Sequence, residues 1–410
     1  MRQFFRFSIM LLAILLPALA TAHDFEADGI YYNINGNEAV VTYQGLHCNS
    51  FYNEYSGAVV IPATVTYNGT TYPVTSIDTL AFYYCSELTS IDIPNSVTEI
   101  GQQAFGRCPG LTSIVVESGN PRYDSRNNCN AMIETADNTL IVGCKNTTIP
   151  NSVTAIGNFA FEGCTGLTSI DIPNSVTHIG WYAFYDCEGL TRIVIPNSVT
   201  DVGVGAFEWC LELTDIVVES DNPRYDSRNN CNAIIETADN TLIVGCKNTT
   251  IPNSVTAIGD GAFFNCNGLT SIVIPNSVTE IGDAAFFNCF GLKDVYCYIA
   301  DLSRVLSGND QFYFYGGDYS GRTLHVLQGT ADAYRTHENW YPYFGQIVED
   351  IFMGDVNGDR VVNIADVNAI INMILGGNGD TTAADVNGDG AVNIADINTV
   401  IDIILNGARN

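Results

Sequence analysis

The chain has 410 residues, 46% hydrophobic and 15% charged, with 16 basic against 45 acidic side chains and a net charge of −29. That apolar content excludes a disordered chain, and the length allows two or three domains with sizeable cores. The negative balance repels phosphate backbones and anionic lipid, so neither nucleic acid nor a membrane surface is an expected partner.

Residues 1–22 place Arg2 and Arg6 before the apolar run Ile9 to Leu16, followed by Pro17 and small residues at Ala18, Ala20 and Ala22. This is the three-part pattern of a secretory signal, and the run is too short for a membrane span. Cleavage after Ala20 or Ala22 would take the net charge from −29 to −31 and deliver a secreted or surface-held product. Residues 23–74 read as an N-terminal cap. In it Gly29 to Ile34 and Glu38 to Tyr43 flank Asn35-Gly36, a pair that favours a two-residue hairpin turn.

The pentapeptide Ile-Pro-Asn-Ser-Val begins at Ile93, Ile149, Ile172, Ile195, Ile251 and Ile274, a 23-residue period in which two units carry insertions of 33 residues. Ile114 to Gly157 and Ile216 to Gly259 differ only at Gly119/Asp221 and Met132/Ile234, as recent duplication would leave them. Within one unit, Ile91 and Ile93 alternate with Ser90 and Asp92, as a half-buried strand requires, and Pro94 stops the ladder. A single unit cannot bury its apolar side, so the units must stack over 75–291 into a solenoid with a parallel sheet along one side and one continuous buried column. Residues 292–350 lose the period but keep Thr323-Leu-His-Val, Tyr334 and Trp340, which suits a C-terminal cap.

Seven of the 13 cysteines (Cys85, Cys108, Cys164, Cys187, Cys210, Cys266, Cys289) each fall three residues after the Phe of an Ala-Phe pair. One repeated position argues for buried apolar thiols rather than a disulfide framework. Cys129 with Cys144, and Cys231 with Cys246, could each close a small loop. The Ala-Phe-x-x-Cys-x-x-Leu signature at this period resembles the BspA-type leucine-rich-repeat proteins of bacterial surfaces. The resemblance spans about Thr75 to Asp350 and implies adhesion to host or neighbouring-cell proteins.

Strand positions facing away from the core include Val115, Val194, Val217 and Val273, an apolar set for an open face. Tyr83, Trp181, Tyr182, Tyr185 and Trp209 lie near the Ala-Phe turns. Aromatics on a rigid scaffold anchor protein or sugar ligands, or else pack against adjacent turns.

After a link at 351–354, two segments offset by 30 residues carry oxygen-bearing side chains at positions 1, 3, 5, 9 and 12 of a twelve-residue loop. They are Asp355, Asn357, Asp359, Asn363 and Asp366 in the first, and Asp385, Asn387, Asp389, Asn393 and Asp396 in the second. With the backbone carbonyl of Val361 or Ala391 at position 7, this spacing wraps oxygen around Ca²⁺, and two in-phase copies predict two ions. Each loop leads into an amphipathic helix, with Val367, Ile370, Ile371 and Ile374 on one and Ile397, Val400, Ile401 and Ile404 on the other expected to pack together. Residues 355–410 resemble a type I dockerin, which implies a small all-α domain that folds with calcium and binds a cohesin-like protein module. The resemblance assigns partner recognition to loop positions 10 and 11, here Ile364-Ala365 and Ile394-Ala395 in place of the frequent hydroxyl pair. Position 6 is Gly390 in the second loop but Arg360 in the first, so the first site should be the weaker.

No catalytic constellation is legible. The five histidines have no ligand or catalytic spacing, and His337-Glu338 lacks the second His of a metalloprotease motif because Tyr341 stands there. The expected molecule is therefore an α/β-type repeat solenoid of leucine-rich repeats joined to a calcium-binding dockerin. It would be extracellular and non-catalytic, with the solenoid recognising a protein or polysaccharide ligand. The alternative is a non-catalytic component of a polysaccharide-degrading, cellulosome-like assembly.

Overall fold

A computed structural model describes residues 23–45, 54–307, 313–376 and 381–406. The signal-like segment lies outside the described residues. The apolar alternation builds two series of parallel strands rather than the single one expected. The first series consists of the alternating Leu-x-x-Ile-x-Ile segments, such as Leu88–Ile93, Ser113–Val116, Arg192–Ile195, Asp215–Val218 and Ser271–Ile274. The second is made of two-residue strands such as Glu99–Ile100, Ala155–Ile156, His178–Ile179 and Asp201–Val202, each ending at the Ile or Val that points into the core. Between the series, every turn inserts its Ala-Phe pair into the interior.

The hairpin at the front pairs Ile30–Asn35 with Glu38–Thr42 in a register that sets Asn35 opposite Glu38. The turn therefore falls on Gly36-Asn37, one residue later than expected. Only Gly36 needs positive φ there (63°), which a type II′ turn satisfies with glycine first. Glu38–Thr42 then pairs in parallel with Thr70–Ile77, which passes the ladder to Glu99–Ile100. At the back, Ser271–Ile274, Asp294–Cys297, Thr323–Leu327 and Gln346–Ile351 continue one parallel sheet through the region where the period is lost. Trp340 is fully buried against Phe314 at that end, with ring centroids 5.3 Å apart. The buried Arg322 donates to the carbonyls of Leu292, Phe314, Cys289 and Gly316, satisfying backbone that has no further turn to meet.

The buried column is not continuous. Phe82 stacks on Phe105; Phe161, Phe184 and Phe207 form a second run; Phe263, Phe286 and Phe314 form a third. The breaks fall at the insertions, where the core also divides into three clusters. Each insertion is a small antiparallel wedge, Tyr123–Asp124, Met132–Glu134 and Thr139–Val142 in the first copy, whose last strand joins the parallel series at Ala155–Ile156. Gly143 takes the place of a turn phenylalanine: its N–H donates to the Ala160 carbonyl at 2.7 Å, as the Phe161 N–H donates to Ala183. A Cβ on Gly143 would lie 2.2 Å from the Phe161 ring, so only glycine fits, and Gly245 meets Phe263 in the same way.

The repeated thiols are free, five of them buried and Cys210 and Cys266 partly so, and those of Cys129, Cys144, Cys231 and Cys246 are buried and free. Cys108, Cys187, Cys210 and Cys289 each donate to the carbonyl of the phenylalanine one turn earlier, at 3.0–3.3 Å. Cys164 instead faces the carbonyl of Gly143, where the insertion has removed the phenylalanine.

The C-terminal unit contains helices Ile364–Ile374 and Ile394–Asn406 with the short Thr381–Ala384 between them. Val356, Val367, Ile370, Ala384, Val386 and Val400 form its core. Only part of each expected helix face is covered, because Ile371, Ile374 and Ile401 remain exposed beside Leu375 and Leu405.

Candidate functional site

Three places in the fold gather groups able to bind. The first is the pair of oxygen-rich loops. Asp366, at position 12, is fully buried; one carboxylate oxygen accepts from the Val356 and Asn357 N–H groups and the other from Asn363. Asp355 accepts from the amides of Asp359 and Arg360, and Asn357 Oδ1 from Asp359. The second loop repeats this pattern with Asp385, Asn387, Asp389 and Asp396. Position 6 is left-handed in both, at φ 66° for Arg360 and 86° for Gly390.

Apart from the Asp366 oxygen that already accepts two bonds, these oxygens retain a lone pair, and the donor set of carboxylate, amide and carbonyl oxygen suits a hard cation. Among the described residues no three His, Cys, Asp or Glu groups gather closely enough to hold a metal ion by themselves. Asn363 and Asn393, expected as position-9 ligands, also cap the helices: their Oδ1 atoms accept from the Ala365 and Ala395 N–H groups at 2.8 Å. Their Nδ2 atoms donate to the carbonyls of Val361 and Ala391, the position-7 oxygens. The neighbouring Ile364 and Ile394 stand 66% and 70% exposed, with Ala365 and Ala395 beside them on the first turn of each helix.

The two loops have different surroundings. The second rests on the solenoid, where Asn253 bonds Asp385 and Gly388 lies within contact distance of Asn276. Asp385 is buried in consequence, whereas its counterpart Asp355 is half-buried; Val356 and Val386 are buried alike in the module's own core, and Asn357, Asp359 to Val361, Asn387 and Asp389 to Ala391 are all exposed.

The second place is the open strand face. Val194 and Val217 are register neighbours, but Val115 pairs with Asp92 and Val273 with Tyr296, each in a separate sheet. The insertions interrupt the series, so the four valines form no single strip. Val273 instead begins a row that runs through Tyr296, His325 and Val348. His325 stacks on Tyr296 and lies within 3.3 Å of Asp294 and 2.9 Å of Asp350.

The third place is the Ala-Phe side. Each turn puts one residue at positive φ two places before its phenylalanine and another two places after, among them Tyr84, Gln103, Arg107, Tyr182, Asp186 and Trp209. Trp181 is 59% exposed, while Tyr182 stacks on Phe159 and meets Tyr185 edge-on. Tyr83 is committed to the fold: its hydroxyl donates to Glu162, as does Gln103. Arg107 joins them, paired with Glu162 and Asp186 and held between the rings of Tyr84 and Tyr185. This cluster closes the first break in the phenylalanine column, leaving a cavity of about 180 Å³.

The second break is wider, about 360 Å³. Gly205, Trp209 and Phe264 stand where Gln103, Arg107 and Glu162 do in the first copy. The backbone bond from Arg107 to Glu162 (2.9 Å) has no counterpart from Trp209 to Phe264 among the described residues. Sequence reading missed Arg107, Glu162, Glu208 and Arg224. The available signal was the loss of Ala-Phe at Val142-Gly143 and Val244-Gly245.

The chain matches the family described as BspA type Leucine rich repeat region in six copies over residues 46–129, 141–238 and 243–311, more than half its length. Residues 353–405 match the type I dockerin domain. No curated protein matches. Among solved structures, a leucine rich cell surface protein from Faecalibacterium prausnitzii A2-165 is 24% identical, with 82% of this chain and 96% of that one covered and a TM-score of 0.44. A leucine-rich repeat protein from Bacteroides ovatus ATCC 8483 is 24% identical over 81% of this chain and 77% of that one, with a TM-score of 0.37. The pneumococcal vaccine antigen PcpA is 17% identical over 80% of this chain and 98% of that one, with a TM-score of 0.40.

Proposed function

The chain belongs to the BspA type leucine rich repeat family and ends in a type I dockerin domain, and from that premise we propose an extracellular binding protein that recognises a macromolecule and docks to a second protein. Both modules are non-catalytic types, and domains of these kinds are typical of surface or secreted proteins. No helix of the described residues is long and apolar enough to cross a membrane. The solenoid is the recognition element, and its ligand is a protein or glycan of the cell's surroundings.

Type I dockerins bind calcium, and the duplicated loop supports two ions here. Their ligands would be Asp355, Asn357, Asp359, the Val361 carbonyl and Asp366 in the first loop, and Asp385, Asn387, Asp389, the Ala391 carbonyl and Asp396 in the second. Asn363 and Asn393 would complete the two sets at position 9 while holding the helix starts in place. The ion would join loop to helix by neutralising carboxylates that otherwise repel one another.

The observation that carries docking is the exposed apolar surface of the module. Ile364 and Ile394 project at equivalent helix starts, and Ile371, Ile374 and Ile401 remain uncovered. Such a surface fits a cohesin-like partner. The full chain, immobilised and probed with cohesin modules, should retain one in calcium and release it in chelator. Retention that ignores chelator would refute the calcium-dependent reading. The dockerin match also favours a second reading, a non-catalytic component of a polysaccharide-degrading assembly. Retention by a cohesin from such an assembly, with binding of the solenoid to immobilised polysaccharide, would select it.

A further inference from the structure

The cleft at the second break in the phenylalanine column has a sequence-level cause. Val244-Gly245 replaces an Ala-Phe pair, so a turn's worth of aromatic volume is absent between Phe207 and Phe263. The first insertion creates the same gap between Phe105 and Phe161, which serves as an internal control. There the protein supplies its own occupants, with Glu162 accepting from Tyr83 and Gln103 and pairing with Arg107. In the second copy Gly205, Trp209 and Phe264 replace Gln103, Arg107 and Glu162, Tyr185 keeps the place of Tyr83, and the space stays open at twice the volume.

The open cleft carries an unbalanced charge. Its charged lining is Glu208, Arg224, Glu236 and Asp260, with the Tyr225 hydroxyl beside them. Arg224 is consumed by Glu236 at 2.9 Å and by the Thr200 carbonyl at 2.8 Å. Asp260 accepts the Asp283 N–H at 2.7 Å. Glu208 projects from the turn that carries Phe207 and has no side-chain hydrogen bond or ion pair among the described residues, although it is partly withdrawn from water. A carboxylate in that position favours a cation that can replace its lost hydration.

Apolar surface flanks this carboxylate. Val204 lines the cleft beside it, and Phe264 on the other wall begins a partly exposed aromatic row through Phe287 and Tyr315, at centroid spacings of 4.9 and 5.2 Å. An aliphatic stem with a cationic tip matches such walls: the stem covers apolar surface and the tip meets both carboxylate and ring face. A neutral sugar would leave Glu208 uncompensated.

We propose that the second cleft is a cation site that takes a lysine or arginine side chain of a basic protein partner, with the charged tip at Glu208 and the stem between Val204 and Phe264. The proposal rests on the reading of the solenoid as the recognition element and names a place and a ligand chemistry for it. The strongly acidic chain, at −29, favours encounter with a basic segment.

The test uses the full chain and two fluorescent peptides, Gly-Lys-Gly-Lys-Gly and its norleucine analogue, followed by anisotropy. The wild type should bind the lysine peptide about tenfold more tightly than the analogue, and Glu208→Gln should remove most of that difference. Val204→Trp, at an exposed position, should block both peptides, and thermal unfolding midpoints show whether each variant is folded. Equal affinity for the two peptides, or an unchanged affinity in folded Glu208→Gln, overturns the proposal. Displacement of the lysine peptide by a neutral oligosaccharide also overturns it and makes the cleft a glycan site. Immobilised matrix proteins and glycans separate this result from the broader reading. Matrix-protein binding that Glu208→Gln leaves intact defeats the cleft alone. A solenoid that binds no matrix protein or glycan defeats recognition, while the peptide pair still decides the cleft.

Discussion

The side-chain amide of Asn253, at a corner of the solenoid, donates a hydrogen bond to the carboxylate of Asp385, the first residue of the second oxygen-rich loop. Burial raises the Asp385 carboxyl, and this bond, with the Gly390 and Asp389 amides, pulls it back. The second loop is thereby tied to the solenoid through its first residue. Asn253→Ala should lower the calcium affinity of the second loop about tenfold or more and leave the first unchanged, because a bond to a carboxylate contributes about 1.5–3 kcal/mol. Calorimetric titration of the full chain resolves the two steps.

Arg360 holds a left-handed φ of 66° where Gly390 sits at 86°. An L side chain in that region costs about 1–2 kcal/mol. Arg360→Gly should therefore tighten the first loop toward the second. Asp389→Ala should abolish the tighter calcium step and Asp359→Ala the weaker one; loss of the tighter step in Asp359→Ala would reverse the ranking.

Phe184 is fully buried and stacked on both sides, by Phe161 at 5.0 Å and Phe207 at 5.4 Å. Phe184→Ala should cost about 3–5 kcal/mol in denaturant unfolding, since the rigid turns above and below cannot collapse into the cavity. Gly143→Ala should also destabilise, through collision with the Phe161 ring rather than through lost contact.

Burial lifts the Glu208 carboxyl from its ordinary 4.5 to about 7. Arg224, Glu236 and Asp260 line the same cleft, and Tyr182 and Tyr185 feel its charge. The ionised form is the disfavoured one in the folded chain. The stability linked to Glu208 is therefore complete below about pH 4.5 and is lost as pH rises through 7. Glu208→Gln should match the wild type in thermal midpoint near pH 4.5 and exceed it at pH 8, with lysine-peptide binding to the wild type rising over the same interval.

Burial pushes the repeated thiols up, to about 11 for Cys85 and about 12 for Cys289. Little thiolate exists at neutral pH, so thiol-directed reagents should leave these cysteines unmodified until the chain unfolds. Mass spectrometry after brief alkylation, with and without denaturant, reads this directly.

Repetition made most of the architecture legible before any coordinates. Ile91 and Ile93, Phe105 and Cys108 recur at one spacing, and identical units can bury their apolar sides only against one another. The oxygen positions of the two loops were equally plain, because side chains that converge on one ion are set by local chain geometry. Other features depended on what lies across the stack. Asn363 and Asn393 have the residue type of ligands, and only the folded loops show that the same oxygens also cap the helix starts. Val115 and Val273 share a repeat position with Val194 and Val217, yet the insertions move them into separate sheets.

Glu162 and Glu208 show the division most clearly. Both are glutamates one place after a turn phenylalanine, and nothing local tells them apart. Glu162 meets Arg107, Gln103 and Tyr83 across the first insertion, whereas the second insertion brings no partner to Glu208. Period, turn chemistry and loop spacing are short-range properties carried by neighbouring residues. Charge compensation in a cleft depends on groups 59 and 79 residues apart along the chain, and only the stacking of turns brings those together.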